Sequence, residues 1–227
     1  MAGRATGAGA RATYTTRDSE RQVAVLVVIL TVESGHLQVL LIKRSAEPFK
    51  DALSLPGGLL NPRESLQDAA VRKLDDETGL TDVFLEQLYT FSDLDGRGAV
   101  AVAYFALVDV SATHLARRRE WLPGWFPVQN LPELAFHNED VIDYALRRLR
   151  AKLDYSNVAY SLLPEEFSLS QLQRTYEAIA GRPLDKRNFR KRILSLAIVE
   201  PTGRMASEGR HRPAKLYRFR ERKPVVF

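Results

Sequence analysis

Cysteine is absent from the 227 residues, which excludes disulfides and thiolate metal sites and suits a reducing cytoplasm. Long apolar runs are missing too. The most apolar stretch, VAVLVVILTV at 23–32, is too short to cross a bilayer, and its β-branched residues make it a buried strand. Residues 1–20 lack the apolar core of a signal peptide and read as a disordered tail, so neither membrane insertion nor export is expected. Internal repeats and extended low-complexity segments are also absent. What remains is a globular composition, 45% hydrophobic, long enough for one large or two small domains.

Charge is unevenly placed. Residues 155–227 hold 15 Lys+Arg against 7 Asp+Glu, a net +8, and residues 1–154 carry −3, together making the chain's +5. An acidic front and a basic back predict two domains with different partners, at 21–154 and 155–227. A basic domain suits nucleic acid, an anionic surface, or a solvated face.

In the front part, apolar patterning predicts strands at 23–32 and 37–43 around a Glu33-Ser34-Gly35 turn, then at 84–91, 100–108 and 125–128. A helix is predicted from Glu139 to Asp154, with Val141, Ile142, Ala145, Leu146 and Leu149 as its apolar stripe. Mixed strands and helices in this order suit an α+β fold, an α/β/α sandwich.

Between the second and third strands lies the most specific stretch, GLLNPRESLQDAAVRKLDDETGL. Leu55-Pro56-Gly57-Gly58 reads as a turn whose glycines let the backbone approach a ligand. A helix is predicted from Glu64 to Thr78, stopped by Gly79. Positions 73, 76 and 77 share one face of it. The spacing Gly58, Glu64, Arg72, Asp76-Glu77, Gly79-Leu80 resembles the Nudix box, whose clustered carboxylates hold Mg²⁺ against a diphosphate. Lys73 replaces the glutamate expected after Arg72, and Asp76 replaces the first of the paired glutamates. One carboxylate is lost and one cation gained, so divalent-metal affinity falls while attraction for a diphosphate persists.

The back part changes character. Ser168 caps a predicted helix with Leu169, Leu172, Tyr176 and Ile179 inward, ended by Gly181. Asp185 caps a second, 186–196, with Phe189, Ile193 and Leu196 inward and Lys186, Arg187, Arg190 and Lys191 outward, Asn188 and Arg192 beside them. Two short strands, 198–201 and 215–219, flank a basic loop, 202–213. Helix, turn, helix and basic hairpin make a winged helix-turn-helix. Its second helix fits the major groove, where arginine grips guanine and Asn188 adenine. Arg204, Arg210, His211, Arg212 and Lys215 are placed to clamp phosphates or enter the minor groove.

The altered box, LQVLLIKRSAEPFKDALSLPGGLL before it, the stretch from LAFHNEDVIDYALRRLRAKLDYSNVAYSLLPEEF through NFRKRIL, and RPAKLYRF together resemble the NrtR-type Nudix-related transcriptional regulators. The resemblance implies a Nudix-fold sensor of ADP-ribose fused to a winged-helix reader of a palindromic operator. It further implies a homodimeric repressor of NAD-metabolism genes that ADP-ribose releases from double-stranded DNA.

Carried over residue by residue, the resemblance leaves no catalytic set, because Arg72, Lys73, Asp76 and Glu77 form a degenerate box. Glu64, Asp76 and Glu77 remain as weak Mg²⁺ ligands, and no cofactor is required. Gly57, Gly58, Glu64, Asp76 and Glu77 are the expected ligand-binding positions. Arg44 is placed to meet a diphosphate or to form a surface salt bridge. Phe49, Tyr104 and His137 are placed for stacking or edge contacts with adenine or ribose, or for packing. Two other readings remain open: an active Nudix hydrolase of ADP-ribose or a related nucleoside diphosphate sugar, and a nucleic-acid module whose Nudix core only dimerises.

Overall fold

The computed structural model describes residues 22–79, 83–92, 94, 99–113, 115, 123–206 and 213–227. The expected tail therefore falls outside the described residues. The long apolar run forms strand β1 (Val23–Glu33), which turns at Ser34-Gly35 into β2 (His36–Lys43). Short strands β3 (Leu53–Ser54) and β4 (Gly57–Leu59) follow, then helix α1 (Leu66–Thr78). Next come β5 (Phe84–Ser92), β6 (Val100–Leu107), β7 (Pro123–Pro127) and helix α2 (Asn138–Tyr155).

These strands form one mixed sheet in the order β3-β2-β1-β6-β5, with β4 paired to β1 and β7 to β2. β1 runs parallel to β6 from Val23↔Val100 to Leu30↔Leu107. A central parallel strand must be apolar on both faces, which explains its unbroken hydrophobic sequence. Val25, Val27 and Ile29 pack with Ala69, Ala70 and Leu74 of α1, while Val28 and Leu30 pack with Val141, Ile142, Ala145 and Leu149 of α2. Helices on both faces make the α/β/α sandwich expected from the sequence.

The second part begins with a short strand β8 (Phe167–Ser168), followed by α3 (Leu169–Ala180), α4 (Lys186–Ser195), β9 (Val199–Ala206) and β10 (Ala214–Phe219). Ser168 and Gln171 form a reciprocal capping box at α3. β8, β10 and β9 form a separate antiparallel sheet, completing the winged helix. Its apolar residues do not make a second core. Phe167, Leu172, Ile179, Phe189, Ile193 and Phe219 join the cluster beneath α2, and α3 touches β1 and β2 directly. No helix among the described residues is long and apolar enough to cross a membrane.

Three expectations are corrected. The Leu55–Gly58 turn is partly strand, because Gly57–Leu59 pairs with Leu26, Val25 and Ala24. The wing's first strand runs to Ala206, so Arg204 lies on a strand rather than in a loop. Gly203, at φ +79, supplies the irregularity that lets Pro201 and Met205 pair with Tyr217 and Lys215. α1 starts at Leu66 because Ser65 caps it, accepting the Asp68 N–H, which leaves Glu64 ahead of the helix.

Candidate ligand site and nucleic-acid interface

Two groups of side chains flank the β3–β4 segment. The first lies on the loop after β2. The Arg44 guanidinium donates from Nε to the Pro48 carbonyl at 2.9 Å and from Nη2 to Ala46 at 3.4 Å. It also sits 4.7 Å from the centre of the Phe136 ring. Phe136 meets Phe49 edge-on at 4.8 Å, and Phe49 is 47% exposed. Burial lowers the pKa of Arg44, with nearby Glu47 opposing the shift. Arg44 makes no ion pair among the described residues. It orders the loop and stacks on an aromatic ring.

Four non-glycine residues in this group hold left-handed backbone: Phe49, Asp51, Phe136 and His137. Such conformations cost on the order of 1–3 kcal/mol each and survive only where the surroundings impose them. Beside them Asn138, fully buried at the start of α2, accepts the Leu55 N–H on its Oδ1 at 2.8 Å. His137 is exposed, 3.7 Å from Glu139. Tyr104 lies elsewhere: it is 3% exposed and packs in the apolar layer under α1, where burial raises its pKa.

The second group is the box itself. Arg72 grips Glu64 with both arms, Nε to Oε1 at 2.7 Å and Nη2 to Oε2 at 2.8 Å, and lies 4.0 Å from Asp76. Glu64 also accepts the Asn61 N–H at 2.9 Å. Its pKa is lowered to about 2, first by Arg72 and then by Asn61. Glu77 is 1% exposed. A Cβ on Gly57 would lie 2.6 Å from the Val25 carbonyl oxygen, and one on Gly58 would lie 3.3 Å from Lys73 Nζ. The glycines admit β1 and the Lys73 side chain.

This donor set does not fit a divalent cation. Glu64 is committed to a guanidinium, an ammonium occupies the helix face, and no three His, Asp or Glu among the described residues converge on one point.

The basic face belongs to α4. Asp185 caps it, accepting the Asn188 N–H at 2.8 Å. Lys186, Arg187, Asn188 and Lys191 are exposed, and among the described residues no carboxylate lies within ion-pair distance of the three cations. Arg190 differs from its expected outward position. It is half-buried, its Nε lacks a hydrogen-bond partner, and Nη2 reaches Ser170 on α3 at 3.5 Å. The crossing of α3 and α4, set by the Tyr176–Phe189 contact, turns position 190 inward. On the wing, Arg204 pairs with Glu166 at 3.4 Å, and Lys215 is exposed on β10. Arg210, His211 and Arg212 lie outside the described residues.

Sequence reasoning missed Phe136 and Asn138. Both stand in the AFHNED run just ahead of α2, and an asparagine at a helix start is the signal that marks such a joint.

Residues 20–148 match the NUDIX domain family, and residues 159–219 match the NrtR DNA-binding winged helix domain family. An ADPR-responsive transcriptional repressor, NtrR of Acinetobacter baylyi, is 37% identical over 204 residues, covering 87% of this chain and 81% of that protein. The crystal structure of Shewanella oneidensis NrtR complexed with a 27mer DNA aligns with TM-score 0.77 and 34% identity, over 87% of this chain and 93% of that one. The NUDIX domain of the same Shewanella protein, complexed with ADP ribose, aligns with TM-score 0.51 and 33% identity, over 58% of this chain and 90% of that one. With its altered box and its exposed cationic helix on one shared core, the chain belongs to the NrtR family of transcriptional regulators, a NUDIX domain joined to a DNA-binding winged helix.

Proposed function

We propose that this protein is a cytoplasmic transcriptional repressor of NAD-metabolism genes. It binds a palindromic operator as a homodimer and releases it when ADP-ribose occupies the Nudix domain. The carrying observation is the contrast between the engaged Arg72 on α1 and the α4 cations, which have no carboxylate partner among the described residues. Lys186, Arg187 and Lys191 provide the attraction for phosphates, and Arg187 with Asn188 reads base edges from the first turn of α4. The Lys215 ammonium and Arg204 extend the contact along the wing.

Phe49, with its exposed ring against Phe136, offers an adenine-stacking face. Lys73 and Arg44 supply positive charge for the diphosphate that a hydrolase would meet through metal. Magnesium is not required. Release needs ADP-ribose to bind the DNA-free geometry better than the DNA-bound one, by about 1–3 kcal/mol in a typical coupled system.

Gel shifts on a duplex selected by the protein from a random-sequence pool test this reading. Retardation that fades as ADP-ribose rises supports it. Retardation indifferent to ADP-ribose removes the effector from the scheme.

A further inference from the structure

We propose that Asn157 and the segment Arg220–Phe227 form a clasp that makes the last turn of α2 the joint through which effector occupancy reaches the recognition helix. The proposal rests on the repressor reading above and adds to it a place where the signal passes. Asn157 is 2% exposed and spends its whole amide on this segment. Nδ2 donates to the carbonyls of Glu221 and Lys223, each at 3.0 Å, and Oδ1 accepts the Val225 N–H at 2.8 Å. The Asn157 N–H donates to the Val225 carbonyl at 3.1 Å, and the Phe227 N–H to Tyr155 at 3.0 Å. Arg222 closes the far side by donating to the carbonyls of Leu163 at 3.0 Å and Pro164 at 3.2 Å. The winged-helix family match stops at residue 219, so the clasp lies beyond it.

Three separate parts of the winged helix converge on residues 150–157. Arg150 Nε donates to the Ile179 carbonyl at the end of α3, at 3.0 Å. Arg192, near the end of α4, donates to the Asp154 carbonyl at 3.1 Å. The third attachment is the clasp, which continues directly from wing strand β10. At the opposite end of α2, Asn138 holds Leu55, and Phe136 touches both Arg44 and Phe49.

A helix of 18 residues spans about 27 Å and moves as a stiff body. A shift imposed on its first turn therefore arrives at its last turns, where these three hydrogen-bonded ties to the winged helix are made. Exposed ion pairs such as Arg192 with Asp154 are soft. A buried amide with all of its hydrogen-bonding groups satisfied is stiff, and it fixes one arrangement. Without the clasp the wing is free to keep its DNA-bound position while α2 moves.

The test compares the wild-type chain with Asn157→Ala and Val225→Pro. The second variant removes the N–H given to Oδ1 and fixes the backbone at 225, at a position outside the buried core. For each, DNA affinity is measured by fluorescence anisotropy on a duplex selected by the wild type, without and with saturating ADP-ribose, and ADP-ribose affinity is measured by calorimetry. In the wild type, a ratio of DNA affinities in the range of about 5–150-fold is expected. In the variants the ratio falls toward one while ADP-ribose affinity stays unchanged. Variants that keep the wild-type ratio overturn the clasp and leave the repressor reading standing. A wild-type ratio of one overturns both.

Discussion

Helices α1 and α4 are both dense in charge, yet their charges meet different fates. On α1, Arg72 is used up by Glu64 and Asp76, and Lys73 lies over Gly58. On α4, Lys186, Arg187 and Lys191 are exposed with no carboxylate beside them among the described residues, although Arg190 and Arg192 on the same helix are drawn into internal contacts. Composition does not separate these cases. Geometry does: Arg72, gripped bidentately by Glu64, positions structure, whereas an exposed cluster with no carboxylate partner among the described residues remains available to an outside polyanion.

The contrast sits on a shared core, and Leu149→Ala should break both regions at once. Leu149 is fully buried in the cluster that includes α3 and α4 residues. A loss of about 2–5 kcal/mol is expected for such a truncation, in a single calorimetric transition that removes ADP-ribose and DNA binding together. Two separated transitions would show that the regions fold independently.

Arg187→Ala sharpens the α4 side. DNA binding weakens by about 1–3 kcal/mol, read by anisotropy, while ADP-ribose affinity is unchanged. Lys73→Glu sharpens the α1 side. It restores a carboxylate to the helix face, and Mg²⁺ affinity should rise on the order of tenfold by calorimetric titration, since one charge pair at about 4 Å contributes roughly 1 kcal/mol in water. Unchanged Mg²⁺ binding would locate the metal defect elsewhere, with the Arg72–Glu64 pair next in line.

The smallest effect concerns Glu64. Its folded pKa of about 2 lies below its ordinary value of 4.5. A depressed carboxylate stabilises the fold above its unfolded pKa, and that contribution is lost as pH falls from about 4.5 through about 2. Melting temperature against pH should therefore slope downward in this acid window for the wild type and be flatter for Glu64→Gln.

Most of the architecture was legible because it is written locally. The α2 stripe, the Ser168–Gln171 capping box, the Asp185 cap and the glycine stops after α1 and α3 each depend on neighbours within a turn. The box spacing and the basic run of α4 were legible for the same reason. What escaped depends on distant partners. Gly57 is a strand residue because β1 lies against it, and Arg190 turns inward because α3 crosses beneath it. Asn157 gains its role from residues more than sixty positions away. Phe49 and Arg44 were singled out from the sequence, but their common partner, Phe136, emerges only when the start of α2 meets the loop after β2.

The most direct test of a box that holds without cutting is a titration of the protein with ADP-ribose in the presence of Mg²⁺, following heat of binding and AMP release in the same sample. Saturable heat with no AMP is the expected result. Steady AMP release would make the protein a hydrolase that tolerates Lys73, and would contradict the assignment of the Nudix domain as a sensor.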